Sequence, residues 1–527
     1  MAKRPTTRTT GEIATAPEPL DVLMVISEAR PFAKTGGLAD VGAALPAALA
    51  RLGHHVTIVL PRYRGLPSEG VSTRRADVPM GAARYPVRMI EQPAGEGVTA
   101  ILIDAPDLYD RDGLYGDARG EYSDNAFRFA VLCRAALEYA RLNGAGGRRP
   151  SVVHAHDWQG ALAPVYLRTI LRDDEFFAGT RTVLTIHNLA FQGLFDPREL
   201  SSIGLGPDLY TPQFLEFWGR ASSLKGGIVA SDTITTVSPT YAREILTPEY
   251  GFGFNGILAD RARDLIGILN GIDVEAWDPR TDKYLPAHFD SRSLGRKAVI
   301  KRALLEYAGI PRDAATLARP VIGLVTRLTP QKGCDLLAGA ADRLMAFDAS
   351  WVMLGSGESW CEDLWRHLAS QYPDRVAARI GFDEHFAHLI EGGADMFLMP
   401  SWYEPCGLNQ MYSQRYGTPP IVRATGGLED TVVDVDDPAG KGTGFKFTAY
   451  TAEALLGAVE RALDAFHNPK RWKTIQRDAM KRDFSWDVSA REYVKVYRGE
   501  TDGIRQGSDV HRRQLRPDDH RRQARPR

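Results

Sequence analysis

LDVLMVISEARPFAKTGGLADVGAALPAAL, residues 20–49, decides the architecture. Residues 20–27 form an apolar, β-branched run of strand length, and a helical pattern starts within a few residues of Gly36 and Gly37. A strand that turns through glycines into a helix opens a parallel α/β unit. Glycine permits close backbone approach, and N–H groups at a helix start favour an anion. Lys34 adds a cation beside them. Packing alone also produces such turns, so this one gains meaning only from what accompanies it.

Working outward, similar runs recur at 55–61, 98–104, 151–156, 181–187 and 232–238, with helical patterns between them such as 123–142. The alternation then restarts with 320–327, 350–357, 375–382, 394–401 and 418–424. At 527 residues the chain exceeds the size of a single core. Two doubly wound α/β sheets follow, with a boundary near LIGILNGID (265–273) and a ligand crevice at the strand C-termini.

Composition removes several function classes. A net charge of −1 provides no bulk field for nucleic acid or an anionic membrane, so an anion must be held by local sites. No apolar stretch approaches the 18 residues of a membrane span, and residues 1–20 lack the apolar segment of a secretory signal. Cys133, Cys334, Cys361 and Cys406 form no CxxC pair and read as reduced thiols of a cytoplasmic protein. The arginine-rich run from Arg505 reads as a solvated tail.

In the second half, Arg327 ends a strand, and Lys332 with Gly333 leads into a helix. Two cations in one such loop suit the oxygens of a pyrophosphate. Taken alone they are also ordinary loop charges. Glu404 follows another strand, Gly407 opens a helix, and TGGLEDTV (425–432) supplies a further glycine turn. A loop glutamate of this kind commonly serves as an ion-pair partner or cap. His154 and His156 lie two apart on one strand face without further ligands at metal spacing, which favours a hydrogen-bonded pair over a metal site. His187 sits just past its strand, before Asn188.

At these residues the chain resembles the bacterial glycogen synthase and plant starch synthase family of glycosyltransferases. The resemblance is collinear from about residue 21 to about 498. It includes KTGGLADV (34–41), HAHDW (154–158), TIHNLAFQG (185–193), SLKGGI (223–228), NGID with Trp277, TRLTPQKG (326–333), EPCGLNQMY (404–412), TGGLEDTV and FSWD (484–487). It implies a GT-B fold, with two Rossmann-like domains facing across a cleft and a C-terminal helix crossing back to the first. The implied division is a tail at 1–20, an acceptor-side catalytic domain at 21–268 and a nucleotide-sugar domain at 269–485. The returning helix falls at 486–501 and a basic tail at 502–527.

The implied reaction moves glucose from ADP-glucose to the end of an α-1,4-glucan with retention, without a cofactor or metal. Arg327 and Lys332 match the pair that holds the donor pyrophosphate. Backbone groups at Gly36, Gly37 and Leu408 and the side chain of Asn409 match its helpers, and Lys34 matches a lysine beside the donor. Glu404 matches the carboxylate on the glucose hydroxyls, and Asn270 also faces the sugar. Cys406 and Gly407 match main-chain contributors, and His187 matches a histidine whose carbonyl lies near the anomeric carbon. Asp40 and Asp157 match acidic positions near the site. Phe382 stands where the family stacks a tyrosine on adenine, and Tyr115 is a weaker nucleotide match. Trp402, Tyr403, Cys334 and the pair Phe254 and Asn255 depart from the family pattern. Tyr412, where small-acceptor relatives carry a glutamate, favours a polymer acceptor. A small-glucoside transferase and a silent glucan-binding protein are the rival readings. A dinucleotide oxidoreductase lacks its GxGxxG signature.

Overall fold

The computed structural model describes residues 18–144, 148–438 and 440–501. The tails expected at 1–20 and 502–527 lie outside them, apart from residues 18–20. Two open sheets organise the rest.

The first has nine strands. Asp21–Val25 lies at its centre, paired in parallel with His55–Pro61 on one side and Val152–His156 on the other. Val98–Asp104 continues one flank. Arg181–Ile186, Thr233–Thr236 and Leu265–Gly267 continue the other, all parallel. These strands are apolar along nearly their whole length because helices cover both faces. Beyond Val98–Asp104 the sheet turns antiparallel through Ala83–Pro93 and Ser72–Met80. This hairpin escaped the sequence reading: STRRADVPM exposes most of one end and offers no apolar run.

The second sheet has six strands, all parallel, with Val321–Leu328 between Ser350–Gly357 and Met396–Met399. Val376–Ile380 flanks one side, and Pro420–Arg423 with Phe445–Phe447 flanks the other. The three-residue strand Phe445–Phe447 was also absent from the sequence reading.

In each sheet the first strand in sequence is therefore the point where strand order reverses, and a crevice opens at its carboxyl end. One crevice receives the loop of Gly36 and Gly37, and the other receives Arg327 and Lys332. The two crevices face each other.

The last helix, Trp486–Arg498, returns to the first sheet and packs on helix Leu38–Arg51. Trp486, Ala490, Tyr493, Val496 and Tyr497 bury themselves in the first lobe's core. Ile272 N–H donates to the Phe484 carbonyl (2.8 Å), and Tyr497 hydroxyl bonds His154 Nδ1 (2.8 Å). Trp486 is 4% exposed. Trp486→Ala should cost about 3–5 kcal/mol, read as a lowered denaturant midpoint. An unchanged midpoint would show that this helix is not anchored through its core face.

Candidate active site

The facing crevices enclose a cleft of about 500 Å³ lined from both lobes. On the first lobe, Gly36, Gly37 and Leu38 form its wall, where helix Leu38–Arg51 begins with no side-chain cap at Gly37. First-turn N–H groups are thus available to an anion. Beneath them lies Glu28, 3% exposed, to which the sequence reading gave no role. Its carboxylate accepts from Thr35 N–H (2.5 Å), Thr35 hydroxyl (2.6 Å), Gly36 N–H (3.2 Å) and Tyr115 hydroxyl (2.6 Å). Glu28 and Tyr115 both line the cleft. Glu28 shapes the glycine loop, a role that only the tertiary approach of Tyr115 reveals.

Lys34 and Asp40 lie outside the lining. Lys34 Nζ pairs with Asp40 at 3.1 Å, and Arg30 Nε reaches the same carboxylate at 2.9 Å. Phe382 also lies outside it, 87% exposed beyond strand Val376–Ile380.

The cleft floor carries Asp157 and His187. Asp157 takes a left-handed φ of 50°, which turns its carboxylate back to accept His187 N–H at 2.7 Å. Burial pushes its carboxyl up to about 7, against the lowering pull of the His187 and Asn188 N–H groups. His187 Nε2 bonds His156 Nδ1 at 3.0 Å. Desolvation pushes His187 and His154 down to about 3 and His156 well below its ordinary range, so the cluster is neutral. His154 also bonds Thr185 hydroxyl (2.6 Å). The expected bond between His154 and His156 is not made. Their rings lie tilted by 35° with centroids 4.1 Å apart, and each histidine bonds a different neighbour. Among the described residues no group of three or more His, Cys, Asp or Glu is placed to hold a metal.

The second lobe supplies the charges. Arg327 is exposed at its strand end, where its guanidinium lies 3.4 Å from Gln331 Oε1. A short turn, Pro330–Lys332, ends at Gly333, whose φ is 84° and whose Cβ would lie 2.3 Å from the Pro400 carbonyl oxygen. Only glycine fits there, and helix Cys334–Ala346 follows. Lys332 Nζ bonds Glu404 Oε2, and Ser401 hydroxyl donates to the same oxygen at 3.0 Å. Glu404 is 5% exposed.

Cys406, Gly407, Leu408 and Asn409 continue the wall. Leu408 caps helix Asn409–Arg415 without a side-chain bond, and Asn409 Nδ2 donates to the Val325 carbonyl (2.5 Å). A Cβ on Gly37 would sit 3.8 Å from Leu408 Cδ1, so the two uncapped helix starts almost meet across the cleft. Burial pushes the Cys406 thiol up to about 12, leaving it an inert neutral group. Asn270 lines the cleft, and its buried Oδ1 has no hydrogen-bond partner among the described residues.

Of the departures noted in the sequence, Trp402 and Tyr403 lie at the lobe seam, whereas Cys334 is buried in the second lobe's core and Phe254 packs on Phe217. Trp402 packs against Tyr250, and Tyr403 meets Phe252 edge-on at 5.4 Å. Tyr412 stacks on Trp277 at 4.0 Å, and Trp277 stacks on His388 at 3.8 Å.

Two facing doubly wound lobes with this cleft define a glycosyltransferase of the GT-B architecture. Residues 21–260 match the starch synthase catalytic domain model, and residues 312–479 match the model of glycosyl transferases group 1. The chain is 46% identical over 480 residues to the glycogen synthase of Koribacter versatilis, covering 91% of this chain and 98% of that one. It is 49% identical over 491 residues to the glycogen synthase of Anaeromyxobacter dehalogenans, at 91% and 99% coverage. The structure of the catalytic domain of starch synthase IV from Arabidopsis thaliana, bound to ADP and acarbose, superposes with TM-score 0.82 at 34% identity. It covers 91% of this chain and 99% of that one. Sucrose-phosphate synthase from Thermosynechococcus elongatus shares the fold alone, with TM-score 0.56 at 17% identity over 92% of this chain and 100% of that one. The chain belongs to the glycogen and starch synthase family.

Asp157 gives a pH prediction. Its carboxyl holds a proton to about pH 7 in the folded chain, against an ordinary value of 3.8. Folding therefore binds a proton between those values, and stability falls as pH rises through that window. Asp157→Asn keeps the acceptor oxygen and removes the titration. Between about pH 4 and about pH 7 the wild type should lose urea midpoint relative to the variant. Parallel profiles would refute the raised carboxyl.

Proposed function

We propose that the chain elongates an α-1,4-glucan in the cytoplasm, transferring glucose from ADP-glucose to the non-reducing end with retention at the anomeric carbon. The observation that carries this reading is the meeting of Arg327, Lys332 and two uncapped helix starts with the acid Glu404 in one interlobe cleft. Phosphate and sugar need those two kinds of contact side by side. The ADP carried by the starch synthase IV structure supports the adenine nucleotide, and the acarbose there supports a glucan-like partner. The four buried free cysteines fit a reducing compartment.

In the reaction, the bond between the anomeric carbon and the β-phosphate oxygen breaks and its electrons leave with ADP. Arg327, Lys332 and the N–H groups of the two helix starts stabilise that negative charge. The glucosyl group meanwhile gains positive charge. His187, held neutral by burial, adds no opposing charge beside it. The acceptor hydroxyl attacks from the face the phosphate leaves, and its proton passes to the departing phosphate oxygen. Atoms and charge balance without an external base.

The Lys332–Glu404 pair gives both partners a second use. A diphosphate seated at Arg327 draws on Lys332, and Glu404 turns its free acceptor capacity to sugar hydroxyls. Asn270 Oδ1, buried and without a partner among the described residues, accepts another.

The test incubates the protein with glycogen and labelled ADP-glucose or UDP-glucose, then digests the product to identify the linkage. Glycogen-bound label in α-1,4 linkage, faster with ADP-glucose, is expected. Label in a small glucoside, or none, would overturn the reading. Lys332→Ala and Glu404→Ala should each lower turnover about 10²–10³-fold while the fold persists. Near-normal turnover in either would remove that residue from the site.

A further inference from the structure

Two short helices meet at the lobe seam: Pro239–Glu244 from the first lobe and Gly426–Thr431 from the second. Each ends in an acid that serves the other's beginning. Glu244 Oε1 accepts from Gly426 N–H (3.0 Å) and Thr425 hydroxyl (2.9 Å). Asp430 accepts from Thr240 N–H (2.8 Å) and Thr240 hydroxyl (2.7 Å).

A carboxylate at the C-terminus of its own helix opposes the helix dipole. Glu244 is the last residue of its helix and Asp430 the next to last of the other. Burial also raises both carboxyls above the usual range, which reflects a desolvation cost. Neither acid benefits its own helix. Both placements become favourable only when the opposite lobe brings N–H donors to them, so these bonds exist for the contact between lobes.

The same turn reaches the sugar-facing acid. Gly427 N–H donates to the Glu404 carbonyl at 3.0 Å. A Cβ on Gly426 would lie 2.0 Å from that carbonyl oxygen, and one on Gly427 2.0 Å from the Cys406 carbonyl oxygen. The glycine turn is thus pressed against the main chain of the Glu404 loop, with Glu244 holding its outer side.

We infer that Glu244, acting with Asp430, is a positioning residue: a reciprocal interlobe clasp that aligns the Glu404 loop when the two lobes engage. This rests on the glucosyl transfer proposed above. Coupling the sugar-facing acid to the lobe contact means that the donor is activated where the acceptor lobe is in place. Arg327 and Lys332 both stand on the second lobe, so loss of the clasp is expected to affect turnover more than donor affinity.

The test compares Glu244→Ala, Glu244→Gln, Asp430→Ala and the double alanine variant, each checked by thermal midpoint. Glutamine keeps the accepting oxygen, and its amide replaces Oε2, which is buried and has no partner among the described residues. Glu244→Ala should lower kcat about tenfold to a hundredfold with little change in KM for ADP-glucose, and Glu244→Gln should restore most of it. Asp430→Ala should repeat the Glu244→Ala effect, and the double variant should be less than additive. Wild-type kcat in Glu244→Ala, or equal impairment in Glu244→Gln, would overturn the clasp. A wild-type protein that makes no glucan would instead sink the function. The clasp would then be read by X-ray scattering, where the double variant should have a larger radius of gyration, and an unchanged radius would refute it.

Discussion

The site depends on one buried ion pair, Lys332 with Glu404, brought together from two loops at the carboxyl edge of the second sheet. Taking two charges out of water is costly, and removing either partner alone strands the other. The surroundings hold the pair in place. Gly333 allows the lysine loop to press on Pro400, and Ser401 adds a hydrogen bond to the carboxylate. Gly426 and Gly427 let a second turn press on the glutamate loop from behind. Each of these glycines stands where a methyl group would collide with main chain. The glycine pattern of the second half therefore records the close packing that this ion pair requires.

The first lobe solves a different problem with different chemistry. Its cleft floor carries His187 and Asp157, with His156 and His154 fully buried behind them, yet burial keeps the imidazoles neutral and lifts the aspartate towards neutrality. Glu28 beneath the glycine loop has its oxygens occupied by four donors from that loop and Tyr115. A floor of hydrogen-bonded, mostly uncharged groups suits a reaction whose positive charge appears on the sugar. The strong cations are confined to the opposite wall, where the negative charge of the leaving group develops. Dividing the charges between two sheets keeps each sheet's own electrostatics simple.

Much of this was legible in the residues. The parallel strands are continuous apolar runs, so they announced themselves; the helix start at Gly37 followed from the glycines, and the one expected at Gly407 begins two residues later, at Asn409. Arg327, Lys332 and Glu404 were visible as polar groups at strand ends. What escaped had no local signal. Ser72–Met80 is a mostly exposed edge strand with a polar sequence, and Phe445–Phe447 is three residues long. Glu28 is one acid among many until Tyr115 arrives from 87 residues away. His154 and His156 look like a pair by spacing, but their hydrogen bonds are set by Tyr497 and His187, which spacing cannot reveal.

The returning helix shows why the two lobes form one device. Trp486–Arg498 is the last described helix, yet its apolar face completes the first lobe's core. Its Tyr497 hydroxyl bonds His154, whose ring packs against His156, which in turn bonds His187 at the cleft. The first lobe's floor is thus ordered partly by residues that follow the whole second lobe in sequence. The chain crosses between lobes near Asn270 and again near Phe484, and the two crossings bond to each other through Ile272 N–H and the Phe484 carbonyl. Two adjacent chain segments, tied by a main-chain bond and an isolated bridge between Ile272 and Ser485, thus join the lobes beside the residue, Asn270, that lines the cleft.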